Sequence, residues 1–280
     1  MNSDTVSVFG GTGYVGSAFC NKFKNIYIQP RSDLVPKTNN ILWFISTTDN
    51  YNVWGDTKID VYTNIVLLLD MLKNANRKFG NDFIVNFISS WFVYGKTKLP
   101  AKEDVICNPT GFYSITKQTA EKLLISYCQS FKVNYRILRL ANVLGVIDKR
   151  ASPKKNATQF VIGEITQGHP IKIYKEPSWR DFININDCVR AINLIITKGL
   201  ADEIYNVGNG HAINVKEIFD YVKIKSGNTF VEEIPVPEFH AQVQVKEFWM
   251  DISKLLMLGY YPEGTIWETV DEIMNYYENK

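Results

Sequence analysis

The sequence predicts an α/β fold: a doubly wound parallel sheet with a smaller C-terminal α/β lobe. The first reason is the segment VSVFGGTGYVG at 6–16, where a β-favouring run breaks into glycines and leads into the helix-like run 17–24. The second is that short apolar strands and longer amphipathic helices alternate along the following residues, as in parallel sheets. The third is length, because 280 residues accommodate one large α/β domain or a domain with a smaller lobe attached.

The glycine-containing segment is typical of a phosphate-binding turn. A strand that breaks into glycines and then opens a helix presents backbone N–H groups and a positive helix end to an anion. Gly10 permits the sharp turn, Gly13 allows the backbone to approach a pyrophosphate, and Gly16 lets the helix pack on the strand. The spacing GxxGxxG alone also fits an ordinary turn, but the strand before it and the amphipathic run after it favour a dinucleotide.

Composition and charge exclude several classes of protein. The 31 basic and 29 acidic residues give a net charge of +2, so we expect no nucleic-acid partner. The apolar runs are far shorter than the roughly 18 residues of a membrane-spanning helix, so we expect no membrane partner. The four cysteines and three histidines lack metal-ligand spacing, which predicts free thiols and no metal. No positively charged leader precedes the first strand, and we therefore expect a cytoplasmic protein.

The second and third strands are close together in the sequence. The second runs over 26–29, and the turn after it reads PRSD at 30–33. An acidic residue often stands here in a dinucleotide-binding fold and binds the adenosine ribose. The third strand, ILWFIS at 41–46, begins about eleven residues after the second ends, which is too few for a further strand and helix. The side of the sheet that would hold the adenine is therefore abbreviated.

A helix is predicted over 58–79. Between Ile59 and Leu72 its apolar residues cover more than one stripe, and a helix that is apolar almost all round is buried on two sides. One side should lie on the sheet. The other should lie either on a partner subunit, which would make the protein a homodimer, or deeper inside the same chain.

A further helix is predicted over 110–131 and carries a tyrosine and a lysine four residues apart. Tyr113 and Lys117 lie on one helical face, one turn from each other. The predicted apolar stripe leaves this pair off its centre and consists of Phe112, Ile115, Leu123, Leu124, Tyr127 and Phe131. An isolated YxxxK pair also fits an exposed tyrosine and a solvated lysine.

Chemistry favours a functional role for this pair. Ser89 and Ser90 directly follow the strand 83–88 and so lie at the carboxyl edge of the sheet, where ligands bind. Deprotonating a phenol near neutrality costs about 4 kcal/mol. A lysine ammonium at about 5 Å supplies roughly 3 kcal/mol, and an oxidised nicotinamide supplies a similar amount. Ser90, Tyr113 and Lys117 thus form an acid–base set that moves a proton alongside a hydride.

Several motifs occur in the order of a known family. The glycine turn, SSWFVYG at 89–95 and the YxxxK pair are followed by RLANV at 139–143, WRDFI at 179–183 and YNVGNG at 205–210. On these motifs the chain resembles the extended short-chain dehydrogenase/reductases and, within them, the NAD(P)-dependent nucleotide-sugar epimerase/dehydratase family. The resemblance covers essentially the whole chain and implies a Rossmann-type sheet, although Leu144 stands where the family has a tyrosine.

The resemblance implies roles for the matching residues. Ser90, Tyr113 and Lys117 would be catalytic, with Lys117 also binding the nicotinamide ribose. The cofactor pyrophosphate would lie on the turn formed by Gly10, Thr12, Gly13, Tyr14, Val15 and Gly16.

The substrate would be a nucleotide sugar. The resemblance implies that Asn142 and Arg180 contact its diphosphate end, while Ser90 contacts the sugar. Two alternatives stay open: a buried structural role for Asn142, and a salt bridge of Arg180 with Asp181 or Asp187.

The resemblance also implies a division of the chain. The dinucleotide-binding domain would comprise residues 1–142, to which 183–207 return. Residues 143–182 and 208–280 would form the substrate-binding lobe. The predicted elements of this lobe include a strand at 171–174 and helices at 215–225, 252–258 and 265–277, while a helix at 187–198 and a final parallel strand at 204–207 return to the main sheet.

The chain lacks one feature of the family's dehydratases, and this restricts the reactions that we expect. The family's dehydratases carry an Asp-Glu pair after the active-site hydroxyl, whereas this chain has Trp91 and Phe92 there, so we expect no elimination. Three functions stay open: epimerisation of a nucleotide sugar by transient oxidation, NADPH-dependent reduction of a 4-keto nucleotide sugar, and non-catalytic dinucleotide binding. The intact Ser90, Tyr113 and Lys117 count against the last.

The cofactor prediction depends on the turn after the second strand. Arg31 and Ser32 suit the 2′-phosphate of NADP, which an acidic residue would repel. We therefore expect NADP to be favoured and NAD to be possible. In the competing interpretation Asp33 binds the ribose and Arg31 is solvated.

Overall fold

The protein is described from a computed structural model, which covers residues 5–48, 52–146, 148, 151–243 and 245–279. Its strands are β1 (Val6–Phe9), β2 (Ile26–Ile28), β3 (Asn40–Trp43), β4 (Ile84–Ser90), β5 (Asn134–Leu140), β6 (Asn142–Leu144), β7 (Ile171–Tyr174), β8 (Trp179–Asn184), β9 (Glu203–Val207), β10 (Ala212–Asn214) and β11 (Val231–Ile234). Its helices are α1 (Tyr14–Lys22), α2 (Ile59–Val61), α3 (Leu67–Phe79), α4 (Phe112–Phe131), α5 (Ala157–Thr166), α6 (Ile185–Lys198), α7 (Val215–Ser226), α8 (Glu238–Val243), α9 (Ser253–Met257) and α10 (Ile266–Glu278). A π-helical turn, Tyr62–Val66, joins α2 to α3.

Six strands form a parallel sheet in the order β2-β1-β3-β4-β5-β9. Ser7 of β1 pairs with Tyr27 of β2 on one side and with Ile41 of β3 on the other. The strand order therefore reverses at β1, and the carboxyl ends of β1 and β3 flank the crevice where such sheets bind ligands. The predicted doubly wound parallel sheet is confirmed.

Helices cover both faces of this sheet. Phe19 of α1 and Ile192 of α6 belong to the apolar core on one face. Leu72 of α3 and Leu124 of α4 belong to the core on the other. A third core, which includes Phe182 of β8, lies among α5, α7 and α10, beside the three-stranded sheet β10-β8-β6. The assignment of residues to two domains stays a prediction.

The strand β3 is shorter than predicted. It ends at Trp43, so Ser46 belongs to the loop after it and not to the strand. Residues 29–39 contain no helix or strand, in keeping with the short spacing between β2 and β3. The carboxyl edge of the sheet therefore begins three residues earlier along this strand than the apolar pattern indicates.

The helix predicted over 58–79 is buried on one side only. Leu68 and Leu72 are fully buried against the sheet. Ile59, Val61 and Tyr62 are 39%, 45% and 56% exposed. The alternative that this helix lies deep inside the chain is wrong, whereas burial against a partner subunit stays a prediction.

The apolar stripe predicted for α4 is right at Leu124, which is fully buried, and wrong at three other positions. Phe112, Ile115 and Phe131 are exposed. The face that packs on the sheet instead consists of Tyr113, Ser114, Thr116, Lys117, Ala120, Glu121, Leu124 and Cys128. The apolar pattern failed here because several side chains on the buried face are polar. Their burial costs little free energy, since they form hydrogen bonds with groups on other elements. Tyr113 and Lys117 therefore lie within the buried face.

Most helices of the C-terminal part agree with the predicted ones, but two observed helices were not predicted. Helix α7 is capped by Asn214, whose side chain accepts the Lys216 N–H at 3.0 Å. Helix α10 begins with a capping box between Thr265 and Glu268. Helices α5 and α8 have no counterpart in the predicted elements.

Candidate active site

The glycine turn leaves the start of α1 open to a ligand. Gly10 has a φ of +77°, and a Cβ added at Gly16 would lie 2.3 Å from the Gly10 carbonyl oxygen. The tight turn therefore needs glycine at both positions. Helix α1 is preceded by Gly13, which provides no side-chain cap, so the first N–H groups of the helix remain for an anion. This geometry fits the pyrophosphate of a dinucleotide.

The side chains of the turn differ in what they contact. The Tyr14 hydroxyl donates to the Gly145 carbonyl at 3.0 Å, so this side chain joins the turn to the segment after β6. Thr12 is exposed and Val15 is half-buried. Contact of these three residues with a cofactor stays a prediction, and for Tyr14 it would have to come from the backbone or the ring.

The turn after β2 presents a basic side chain. Arg31 and Ser32 are both exposed. The Asp33 carboxylate accepts the Val35 N–H at 2.8 Å, so it is engaged in its own turn. Gln29 is buried and donates to the Val35 carbonyl at 2.7 Å. This arrangement makes Asp33 a poorer partner for a ribose than the competing interpretation requires.

The structure brings Ser90, Tyr113 and Lys117 together at the carboxyl end of β4. The Tyr113 hydroxyl lies within hydrogen-bonding reach of the Ser90 side chain. Lys117 is 1% exposed, and its Nζ donates to the Ile88 carbonyl at 2.6 Å. The exposed tyrosine and solvated lysine of the alternative interpretation are therefore wrong for this chain.

The electrostatics of the pair differ from those expected. Burial, with a smaller contribution from Asp60, raises the pKa of Tyr113 above its usual value. Burial also lowers the pKa of Lys117 to about 7, and Glu121 opposes this shift. Near neutrality Lys117 therefore carries only part of the charge that the sequence argument assigned to it, and by itself it does not ionise Tyr113.

Arg180 is a buried guanidinium that has no ion pair among the described residues. It is 8% exposed, and its Nη1 donates to the carbonyls of Trp179 and Lys246 at 2.8 and 3.0 Å. Burial lowers its pKa to about 10. Neither carboxylate of the proposed salt bridges reaches it, because Asp181 accepts three backbone N–H groups and Asp187 pairs with Arg190. That alternative is wrong, and the charge remains for an external anion.

Asn142 is held in place by the strand next to it. Its Nδ2 donates to the Asp181 carbonyl at 3.0 Å, and the residue is half-buried. The structural role left open for Asn142 is thus supported by a contact, while contact with a substrate stays a prediction.

Aromatic rings occupy the two positions after Ser90. Trp91 is buried between Phe92 and Phe248, with ring centroids 4.0 and 4.7 Å apart. Phe92 meets the Tyr113 ring edge-on at 6.2 Å. The Arg180 guanidinium lies 5.4 Å from the Trp91 centroid. This wall carries no carboxylic acid that could protonate a leaving hydroxyl beside Tyr113.

Comparison with known proteins agrees with this geometry. A model of the NAD dependent epimerase/dehydratase family matches residues 48–208, more than half of the chain. The chain belongs to this family. The family resemblance inferred from the sequence is therefore confirmed.

The relatives and the solved structure that resemble this chain are named for different reactions. The chain is 27% identical, over 98% of both proteins, to a Methanocaldococcus jannaschii protein provisionally named UDP-glucose 4-epimerase. It is 24% identical to the dTDP-4-dehydro-6-deoxyglucose reductase of Escherichia coli, over 80% of this chain and 68% of that one. Its fold is similar to that of Bacillus cereus UDP-glucuronic acid 4-epimerase in complex with UDP-glucuronic acid and NAD, with a TM-score of 0.84, 21% identity and coverage of 98% and 99%.

Sequence reasoning missed two groups of polar residues beside the site. Ser46 lies within hydrogen-bonding reach of Tyr113 and had been assigned to β3. The rule that found Ser90 looks for a hydroxyl directly after a parallel strand, and it does not find Ser46, which lies three residues past the end of β3 at Trp43. The second group is a buried ion pair, in which Arg139 binds Glu121 at 2.7 Å behind Ser89.

Metal-ligand clusters and membrane-spanning helices are both absent from the described residues. No group of three or more His, Cys, Asp or Glu side chains in this part of the chain is arranged to hold a metal ion. No helix there is both long enough and apolar enough to cross a membrane.

Proposed function

We propose that this family member is an NAD(P)-dependent nucleotide-sugar epimerase that acts by transient oxidation of a sugar carbon. The observation that carries the proposal is the buried contact of Tyr113 with Ser90 at the carboxyl end of β4, one helical turn from Lys117. A phenol and a hydroxyl in this arrangement move a proton to and from a sugar oxygen. Non-catalytic binding of a dinucleotide would not require these groups to be buried together.

Each residue of the site has its own role in the proposed reaction. A bound nicotinamide would supply the hydride chemistry, as acceptor of a hydride from the sugar carbon and as the donor that returns it to the other face of the resulting ketone. Tyr113 takes the proton of the sugar hydroxyl as the ketone forms and gives it back as the ketone is reduced. Ser90 donates a hydrogen bond to the same sugar oxygen. Lys117, one turn from Tyr113, would bind the nicotinamide ribose.

The substrate's diphosphate would bind at Arg180. This guanidinium is buried, unpaired among the described residues and close to the aromatic wall beside Ser90. A bidentate contact with phosphate oxygens would satisfy it. The pyrophosphate of the cofactor would lie on the separate N–H groups at the start of α1, and the lobe formed by 143–182 and 208–280 would cover the sugar.

A second candidate is the NADPH-dependent reduction of a 4-keto nucleotide sugar. The turn after β2 favours it, since Arg31 and Ser32 are exposed and suit a 2′-phosphate while Asp33 is engaged locally. The similarity to an E. coli dTDP-4-dehydro-6-deoxyglucose reductase supports it as well. Ser90, Tyr113 and Lys117 would then catalyse only the step in which the ketone is reduced.

Product analysis separates these candidates. Purified protein is incubated with UDP- and dTDP-sugars and with their 4-keto forms, each with NAD, NADH, NADP and NADPH, and Tyr113→Phe serves as the control. A sugar epimer supports the first candidate, and oxidation of NADPH with a 4-keto sugar supports the second. Because Trp91 and Phe92 replace an acid pair, we expect no 4-keto-6-deoxy product from a 6-hydroxy sugar. Appearance of that product would contradict the proposal.

We also propose that two copies associate through the outer surface of α2, the π-helical turn after it and α4. Apolar side chains that are each 39% to 56% exposed lie on this surface: Ile59, Val61, Tyr62, Phe112 and Ile115. Covering such a patch removes apolar area from water. Ile115→Asp should convert a dimer to a monomer in sedimentation experiments, whereas Lys122→Asp on the same helix should not. A wild-type monomer at micromolar concentration would contradict the proposal.

A further inference from the structure

Phe92 is an aromatic side chain that lies beside the proposed acid–base residues. It is the second residue after β4, and its backbone N–H donates to Ser90 Oγ at 3.3 Å. Its ring meets the Tyr113 ring with centroids 6.2 Å apart and planes at 84°. A sugar oxygen that contacts both Ser90 and Tyr113 would therefore bring the carbons next to it close to the Phe92 ring.

The packing around this ring leaves one side of it open. Trp91 stacks between Phe92 and Phe248, with ring centroids 4.0 and 4.7 Å apart. Trp91 and Phe248 are 2% and 0% exposed, so a ligand cannot reach these two rings. Phe92 lies at the end of the stack and is only half-buried. Phe92 is therefore the member of this aromatic stack that a substrate can contact.

The substituents of the sugar differ in whether they suit such a ring. In a reaction that passes through a 4-keto sugar, Tyr113 and Ser90 act on the oxygen of C4, and the neighbouring carbons are C3 and C5. C3 of a common hexose carries a hydroxyl. C5 carries a hydroxymethyl group, a carboxylate or, in a 6-deoxy sugar, a methyl group. The methyl group is the apolar one of these substituents, so it is the one that a phenyl ring beside C4 suits.

A polar substituent is disfavoured at this position. The Phe92 side chain has neither a hydrogen-bond donor nor an acceptor, so a hydroxyl pressed against it loses water without a replacement. A carboxylate loses more, because a buried charge is more costly than a buried hydroxyl. A methyl group gains from the same contact, since apolar area on both partners is removed from water.

We propose that Phe92 is a specificity-determining residue and that the substrate is a nucleotide-linked 6-deoxy sugar, whose methyl group lies against the Phe92 ring. The inference rests on the proposed function and applies to both candidate reactions, because epimerisation and 4-keto reduction both place C4 at Tyr113. Since we expect no elimination by this chain, a 4,6-elimination catalysed by another enzyme would have to supply the 6-deoxy sugar.

The test compares nucleotide sugars that differ only at C6. Purified protein is given dTDP-6-deoxyglucose, dTDP-glucose and dTDP-glucuronic acid, and their galacto epimers, each with NAD and with NADP. Epimerisation is followed by product analysis, and a reductase is followed in reverse, as oxidation of the 4-hydroxyl. The kcat/KM of the 6-deoxy sugar should exceed that of the 6-hydroxy sugar by about 10- to 100-fold, and the carboxylate should be the poorest substrate.

Two substitutions separate the apolar character of Phe92 from its position in the fold. Phe92→Leu keeps an apolar side chain and should keep most of the preference. Phe92→Asn provides a donor and an acceptor and should reduce the preference to less than about threefold. The matched control is Phe131→Asn at the end of α4, where the ring is 47% exposed, and it should leave the preference unchanged. A purely structural role would lower kcat/KM for both sugars by the same factor.

Several results would overturn the proposal. They are equal kcat/KM values for the 6-deoxy and 6-hydroxy sugars, a preference for the hydroxyl or the carboxylate, and a preference that survives in Phe92→Asn. A loss in Phe92→Leu as large as that in Phe92→Asn would also overturn it, because both sides of that comparison would then lack the proposed contact.

Failure of the proposed function is recognised separately. It would appear as turnover that survives Tyr113→Phe, or as the absence of a product from every sugar. Calorimetric titration of Tyr113→Phe with the same sugars still measures the preference, since binding requires no turnover. Tighter binding of the 6-deoxy sugar would support the role of Phe92 in that case, and equal binding would contradict it.

Discussion

Replacing Arg180 with methionine should separate its effect on ligand binding from its effect on stability. The guanidinium is buried without an ion pair in the described part of the chain, and burial lowers its pKa from the ordinary value of an arginine to about 10 because it removes water from the charged group. This fall corresponds to about 3 kcal/mol of unfavourable free energy for the charged form. Arg180→Met removes that cost and keeps most of the side-chain volume.

The favourable contacts that are lost have a similar magnitude. The two hydrogen bonds of Nη1 contribute about 1 kcal/mol each, and the contact with Trp91 contributes about 1 kcal/mol. Neither carbonyl is left unsatisfied, because that of Trp179 still accepts the Phe248 N–H and that of Lys246 still accepts the Trp179 N–H, both at 3.0 Å. Arg180→Met should therefore change the free energy of unfolding without ligand by less than about 1 kcal/mol.

Binding of the nucleotide should respond strongly. A hydrogen bond from a charged group contributes about 1.5–3 kcal/mol, so the affinity for UDP or dTDP should fall about 10- to 100-fold. Calorimetric titration and urea unfolding of the same samples measure both quantities.

The matched control for this experiment is Arg136→Met. Arg136 lies on β5 and donates to the Gly199 carbonyl and to Asn86, at 2.9 and 3.0 Å. Its loss should lower stability and leave nucleotide affinity unchanged. If Arg180→Met instead loses more than about 3 kcal/mol of stability, or binds both nucleotides as the wild type does, Arg180 is a structural residue and the reasoning fails.

Three further predictions follow from the site. Tyr113→Phe should lower turnover at least 100-fold while cofactor binding and unfolding change little, and a variant that keeps a tenth of the wild-type rate would contradict the assignment. Because the pKa of Lys117 is lowered to about 7 in the fold, the unfolded chain binds more protons between about pH 7 and 10.5. The stability of the wild type relative to Lys117→Met should therefore rise with pH across that window, by up to about 5 kcal/mol in urea unfolding, and a difference that does not change with pH would show that the pKa of Lys117 is not lowered in the fold. Arg31→Ala should weaken NADP binding more than NAD binding in fluorescence titrations, and equal losses would refute the 2′-phosphate contact.

The sheet was predictable from the sequence because its signals are local. The glycine turn at Gly10 and Gly16 is required by backbone geometry, and the apolar runs of the parallel strands are continuous. Strand ends were less predictable, as β3 shows. The run ILWFIS stays apolar for two residues past Trp43, where pairing with the neighbouring strands ends. The end of a strand is set by where its hydrogen bonds to neighbouring strands stop. The amino-acid composition of that strand alone does not show this position.

The burial of α4 was not predictable from apolar periodicity. Its sheet-facing side carries Lys117 and Glu121, which a hydrophobicity pattern assigns to solvent. Their burial depends on partners far away in sequence, the Ile88 carbonyl for Lys117 and Arg139 for Glu121. The YxxxK spacing still located the site, because spacing on a helix is preserved whichever face is buried.

In this protein, buried charged residues that form an ion pair are structural, whereas those without an ion pair are candidates for binding a ligand. Arg139 and Glu121 form a bidentate pair, with Oε1 and Oε2 of Glu121 both engaged, and they need nothing further. Arg180 and Lys117 are equally buried, yet neither forms an ion pair within the described residues, and burial lowers both of their pKa values. An unpaired buried cation destabilises the ligand-free protein unless an anion or a polar group arrives to satisfy it. The Arg180 guanidinium lies 5.4 Å from the Trp91 centroid, and Tyr113, one helical turn from Lys117, meets the Phe92 ring edge-on, so both buried cations belong to the surroundings of the same aromatic pair.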